Sequence, residues 1–341
     1  MEGNKRVLVL GATGFVGRRL VPTLLAQGVH RNIMTRFFTA FLLLFLALPT
    51  AAEKLYRYRD ASGNWAFSDR PPAGTVPAEV RQVRTEGLPG RVGLRNLGTQ
   101  EEPIYYAVNE YFGPVELEVS LDSGSNVRSE PPLPLHVMVP ARSEEEVVRF
   151  IPANPRHGWS YRFAYRFSFG DLRAVHRPPR PYRPPLAPGE KFPVSQSFHG
   201  AFSHTEPSSA YAVDIAMPEG TPVHAAREGV VMEIANDFYG SGLDLDKYGD
   251  RANFICILHD DGTMAFYAHL QLETSQVAPG SRVEVGQLLG FSGNTGYSGG
   301  PHLHFVLQRN AGMELVSVPF KFDDGNGVGF VPEKGMVLRG F

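Results

Sequence analysis

Pro301-His302-Leu303-His304-Phe305 sets two histidines two residues apart on an apolar strand segment bounded by Gly300-Pro301. Alternate residues of a strand leave on the same face, so both imidazoles point to one side. Working outward, Tyr211-Ala212-Val213-Asp214-Ile215-Ala216-Met217-Pro218 is again of strand character and carries one carboxylate. His204 lies ten residues before Asp214 across a loop containing Pro207, and His269 follows the apolar run Phe266-Tyr267-Ala268. Seven of the eleven histidines fall between His199 and His304. Such clustering of a borderline-soft ligand beside a charge-neutralising carboxylate predicts a zinc site in an all-β protein. There is no His-Glu-x-x-His helix, so a glutamate base on a zinc-binding helix is not indicated.

Composition narrows the classes. The chain has 341 residues, 43% of them hydrophobic, enough for two or three domains with real cores. A formal charge of -2 with interspersed signs provides no basic stripe, so no nucleic-acid partner is expected. The single cysteine, Cys256 in Phe254-Ile255-Cys256-Ile257-Leu258, excludes an intrachain disulfide and reads as a core hydrophobe.

At the N-terminus, Gly11-Ala12-Thr13-Gly14-Phe15-Val16-Gly17 follows a short apolar strand and opens a helical pattern, resembling a dinucleotide-binding turn. The second strand and ribose contact that such a unit needs do not follow. Residues 1–33 therefore read as a spurious or vestigial Rossmann-like fragment, and no nucleotide is expected. Met34-Thr35-Arg36, the apolar residues 37–48 and Pro49-Thr50-Ala51-Ala52 have the order of a secretory signal peptide, residues 34–52, cleaved near Ala52. The apolar run falls short of the about 20 residues of a membrane span, so no stable span is expected. The exported chain is expected to be periplasmic or secreted.

After that cut, residues 53–75 alternate apolar and polar side chains around a turn at residues 60–64, a hairpin signal. They resemble a small Y-x-x-x-D-x-x-G-x-x-x-[YF]-[ST]-D-x-P module of exported bacterial proteins, with no assigned role. Residues 90–172 contain strand-like segments at 104–108, 115–119, 135–139, 145–150 and 161–167, predicting a small immunoglobulin-like β-sandwich. Residues 173–189 include Arg177-Pro178-Pro179-Arg180-Pro181-Tyr182-Arg183-Pro184-Pro185, read as an extended, semi-rigid linker. Residues 190–325 are the metal-bearing domain, and 326–341 a C-terminal tail.

Residues 190–322 resemble the lysostaphin-type, LytM-like zinc metallopeptidases that cut peptidoglycan. The resemblance runs through Ser203-His204, Tyr211-Ala212-Val213-Asp214, Pro218-Glu219-Gly220-Thr221-Pro222-Val223-His224-Ala225-Ala226, Gly229-Val230-Val231, Tyr267-Ala268-His269-Leu270, Val285-Gly286-Gln287 and Gly293-Asn294-Thr295-Gly296 on to His304. It implies a β-sheet groove of the duplicated hybrid motif type and one Zn2+ per chain. His204, Asp214 and His304 are then the metal ligands, and His269 and His302 the two catalytic histidines beside them. The implied reaction is hydrolysis of peptide cross-links or stem peptides of peptidoglycan. The alternative is a non-catalytic murein-binding or amidase-activating module on the same fold, although such relatives characteristically lack the ligands present here.

Two positions depart from the family pattern. Its first ligand usually lies four residues before the aspartate, where this chain has Ala210, so His204 reaches across a longer loop and His199 is the substitute. Val306 stands where many relatives carry glutamate. His224 and His259 read as structural, and the acidic run at residues 244–250 as a solvated insertion rather than a calcium loop.

Overall fold

The computed structural model describes residues 26–30, 52–59, 65–68, 70–72, 76–84, 88 and 90–341. The Gly11–Gly17 turn and the apolar residues 37–48 lie outside them. Among the described residues the chain is almost entirely β, with one helical turn, Leu245–Tyr248, capped by the Asp244 carboxylate. No described helix is long and apolar enough to cross a membrane.

The C-terminal half builds a nine-stranded antiparallel sheet. Its order is Arg282–Val283, Gly229–Ala235, Phe254–Leu258, Met264–Ala268, His302–Asn310, Val213–Ala216, Lys191–Gln196 and Val337–Arg339, with Leu315–Ser317 paired to His302–Asn310. The central strands read as continuous apolar runs because both faces are covered. On one face Ile255, Ile257, Ala265, Tyr267, Leu303, Phe305 and Ile215 share a core with Tyr182, Leu186, Phe320 and Phe322. From the other face Met232, Cys256, Met264, Phe266 and Val306 enter a second core that continues into the preceding domain.

That preceding domain is the expected sandwich. One sheet runs Ala26–His30, Trp159–Phe169, Val115–Ser125, Leu135–Val139; the other runs Val92–Asn96, Ile104–Asn109, Ser143–Pro152, Val127–Glu130. Trp159, Tyr161, Phe163, Tyr165 and Phe167 alternate inward along one strand with Ser160, Arg162, Ala164 and Arg166 between them. Val92–Asn96 alternates only over Val92 and Leu94, and Val127–Glu130 carries a single apolar residue, so their sequence marked them weakly.

Three segments differ from their expected roles. The proline-rich run is not a free spacer: Tyr182 and Leu186 are fully buried, and backbone amides of Arg177, Tyr182 and Arg183 bond to Asp261, Lys321 and Ala226. Extended geometry suits a strap as well as a spacer, and the two apolar side chains decide for the strap. Residues 326–341 are not a loose tail, since Val337–Arg339 pairs with Lys191–Pro193 and Leu338 is buried. The N-terminal hairpin, Ala52–Arg59 with Trp65–Ser68, gains a third strand, Ala78–Arg84.

Candidate metal centre

Sheet register assembles the site. Asp214 lies opposite His304, His304 opposite Ala268, and Gln196 opposite Asp214, so one row crosses four adjacent strands. Directly paired residues on one face are close enough to interact. His302 stands two residues before His304 on the same face, opposite Ala216, and His269 follows Ala268 at the strand end. His204 closes in from the loop between Lys191–Gln196 and Val213–Ala216. Ligand atoms of His204, Asp214 and His304 all lie within 4.8 Å of one another, and all three residues are buried.

Asp214 Oδ1 sits 3.2 Å from His204 Nε2 and 2.9 Å from His304 Nδ1, while Oδ2 accepts a hydrogen bond from Gln196 Nε2 at 3.0 Å. Three rings are fixed through their other nitrogen. Nδ1–H of His204 donates to Ser197 O at 2.8 Å, that of His269 to Thr295 O at 2.7 Å, and that of His302 to Gly300 O at 2.8 Å. A carbonyl only accepts, so the proton is on Nδ1 and Nε2 is left as the lone-pair nitrogen. In the neutral ring, the His204 Nε2 lone pair therefore faces a carboxylate oxygen at hydrogen-bond distance. Two acceptors in a dry pocket call for a cation between them, and two imidazoles plus one carboxylate form a donor set that suits a divalent metal.

Electrostatics agree. Burial pushes the Asp214 carboxyl up, but its interactions with His204 and His304 outweigh this and hold it well below the usual range. Burial lowers His304 despite Asp214, and burial with repulsion from His302 and His304 holds His269 well below its ordinary value. The chemistry is thus an ionised carboxylate beside two imidazoles, His269 and His304, whose charging burial disfavours. His269 and His302 rings lie 4.5 Å apart, and the His302 side chain, 16% exposed, is the most exposed of the five.

Thus the five predicted residues converge. The substitute candidate His199 does not join them; it is exposed, with its ring against Tyr211. His224 and His259 lie elsewhere, each tied by Nδ1 to a backbone carbonyl, of Gly286 and Glu228. Sequence reasoning missed Gln196, which only register could reveal, and the carbonyls of Ser197, Thr295 and Gly300, which no side-chain pattern reports. It also missed the backbone of His269, whose φ of +63° places a non-glycine residue in the left-handed region.

Comparison with known proteins gives this geometry a context. Residues 208–315 match the family described as Peptidase family M23, and residues 41–89 match a Domain of unknown function (DUF4124). Glycyl-glycine endopeptidase ALE-1 of Staphylococcus capitis is 39% identical over 102 residues, covering 30% of this chain and 25% of that protein. Peptidoglycan DD-endopeptidase ShyA of Vibrio cholerae is 39% identical over 94 residues, covering 28% of this chain and 19% of that protein. The chain thus spans a quarter or less of the length of these curated relatives. The solved catalytic domain of lysostaphin from Staphylococcus simulans is 28% identical, covering 42% of this chain and 89% of that chain, with a TM-score of 0.27.

Proposed function

Because residues 208–315 carry a peptidase family M23 domain, we propose that this chain is a zinc-dependent endopeptidase hydrolysing cross-links or stem peptides of bacterial peptidoglycan. The observation that carries this reading is the convergence of His204, Asp214 and His304 with two further histidines beside them. His204 Nε2, Asp214 Oδ1 and His304 Nδ1 are the atoms that would hold one zinc ion. Bound there with an open position, zinc supplies Lewis-acid polarisation of the scissile carbonyl and acidifies water.

The chain's own residues do the rest. With Nδ1–H tied to a carbonyl, His269 and His302 each present Nε2 to the reaction, and a neutral imidazole accepts a proton before it donates one. A proton taken from the attacking water at one Nε2 is the proton returned to the leaving amine. Gln196 keeps Asp214 from rotating away from the metal. Endopeptidase relatives support the substrate class. Export, with a mature start near Glu53, is supported by the basic, apolar and small-residue order of residues 34–52; it delivers the enzyme to the wall without the Ala26–His30 edge strand, leaving Trp159–Phe169 paired to Val115–Ser125 alone.

The test uses the zinc-loaded chain from Glu53 and purified cross-linked peptidoglycan, with released fragments identified by mass spectrometry. Wild type is expected to release cut peptides, and His302→Ala to bind zinc yet release none. Silence from both proteins with zinc bound would favour the non-catalytic murein-binding module.

A further inference from the structure

The N-terminal three-stranded sheet does not stand apart from the metal centre's supports. Leu55 and Val83 bury themselves against Leu272, with Phe67 packed alongside. Arg84 donates its backbone amide to Asp237 O at 2.9 Å, pairs in parallel with Phe238, and sets its guanidinium against the Asp237 carboxylate at 2.8 Å. Arg57 and Arg81 both approach Glu273, at 3.8 and 3.6 Å. The sheet therefore clasps two segments of the C-terminal domain, residues 237–239 and 272–273.

Both segments lead to His269. Phe238 exchanges hydrogen bonds with the side chain of Asn253, its amide donating to Oδ1 and its carbonyl accepting from Nδ2, each at 2.9 Å. Asn253, fully buried, also donates Nδ2 to Leu270 O and its backbone amide to Thr295 Oγ1. Thr295 donates Oγ1 to Leu270 O, and its carbonyl holds His269 Nδ1. Beyond Tyr239, Ser241–Gly242 pairs with Gly296–Tyr297, the segment just after Thr295. On the other side, Leu272 and Glu273 stand three and four residues after His269. A histidine at positive φ persists only where its surroundings over-determine it, and these hydrogen bonds are those surroundings.

We propose that the three-stranded module, within the stretch that matches a domain of unknown function, is a positioning element that braces the Phe238–Asn253–Thr295 network and thereby fixes the His269 imidazole. The catalytic half of this inference rests on the endopeptidase reading. Leu55, Val83 and Arg84 touch neither metal ligand nor substrate; they act through the segments they clasp. Docking aligns a reacting group, so its loss lowers turnover while metal affinity and substrate binding remain.

Full chains carrying Arg84→Glu, Asp237→Arg, both changes together, or Val83→Asp are compared by peptidoglycan kinetics, zinc titration and amide exchange. Arg84→Glu is expected to lower kcat about tenfold at unchanged KM and zinc affinity, with faster exchange at Leu270 and Gly296. The charge-swapped double variant is expected to recover both. Val83→Asp with accelerated exchange across Ala78–Arg84, yet wild-type kcat and wild-type exchange at Leu270 and Gly296, would overturn the proposal. A wild-type chain that cuts no peptidoglycan sinks the endopeptidase reading instead, and the exchange at Leu270 and Gly296 then decides the brace alone.

Discussion

One oxygen of Asp214 serves two imidazoles and the other is held by a neutral amide, and this division makes a testable demand on Gln196. Gln196→Leu removes the donor and frees the carboxylate to turn, so zinc affinity is expected to fall about 10- to 100-fold, the usual cost of losing a residue that orients a ligand. Titration against a competing chelator measures it; unchanged affinity would mean the two histidines alone orient Asp214. A second pair of variants separates the candidate first ligands. His204→Ala is expected to abolish stoichiometric zinc binding, whereas His199→Ala, altering an exposed ring on Tyr211, is expected to leave it intact. At this scale the cluster itself was legible, because imidazoles and a carboxylate announce themselves by type. Gln196 was not legible, since a strand glutamine acquires meaning only when register sets it opposite Asp214.

Elements with strong alternation or apolar runs, such as Trp159–Phe169 and Phe254–Leu258, were readable because their pattern is the pattern of their burial. The proline-rich run misled because composition reports backbone geometry but not what the backbone lies on. Its anchor is the buried Arg227 under Tyr182, which donates to the Tyr182 hydroxyl and to Asp261 and pairs outward with the exposed Asp260. Burial pushes the Asp261 carboxyl up, but hydrogen bonds from Arg227 and Thr263 prevail and hold it well below its ordinary value. His259 lies beside them, facing Arg227, Asp261, Glu228 and the Tyr182 ring; burial pushes it down from 6.5 to about 4. Between those two values the unfolded chain holds a proton that the folded chain lacks, so stability falls as pH drops through the window. The full effect is about 3 kcal/mol. Urea unfolding at pH 7 and pH 4.5 should therefore show wild type losing more stability on acidification than His259→Gln. Equal losses would mean His259 charges without penalty in the fold.

Across the whole molecule the sandwich and the C-terminal sheet share one core. Met232, Cys256, Met264, Phe266 and Val306 meet Tyr111, Val115, Leu117, Phe167 and Phe169, every one of them buried. A polar clamp accompanies them: the buried Glu116 carboxylate accepts from Asn310 Nδ2 at 2.9 Å and from the Met313 amide at 2.7 Å. At roughly 2 kcal/mol for each fully buried apolar side chain, exposing the five from the sheet would cost about 10 kcal/mol. That is comparable with the about 5–15 kcal/mol that holds a whole domain folded. The sandwich therefore cannot swing over the metal centre as a detachable cover without unfolding cost, and the two halves should behave as one cooperative unit. Calorimetry of residues 90–341 is expected to give a single transition whose calorimetric and van't Hoff enthalpies agree. Residues 190–341 alone, stripped of both the sandwich face and the Tyr182–Leu186 strap, are expected to be insoluble or molten. Two separated transitions, or a well-folded 190–341 fragment, would show that the shared core contributes little and would restore the sandwich as an independent domain.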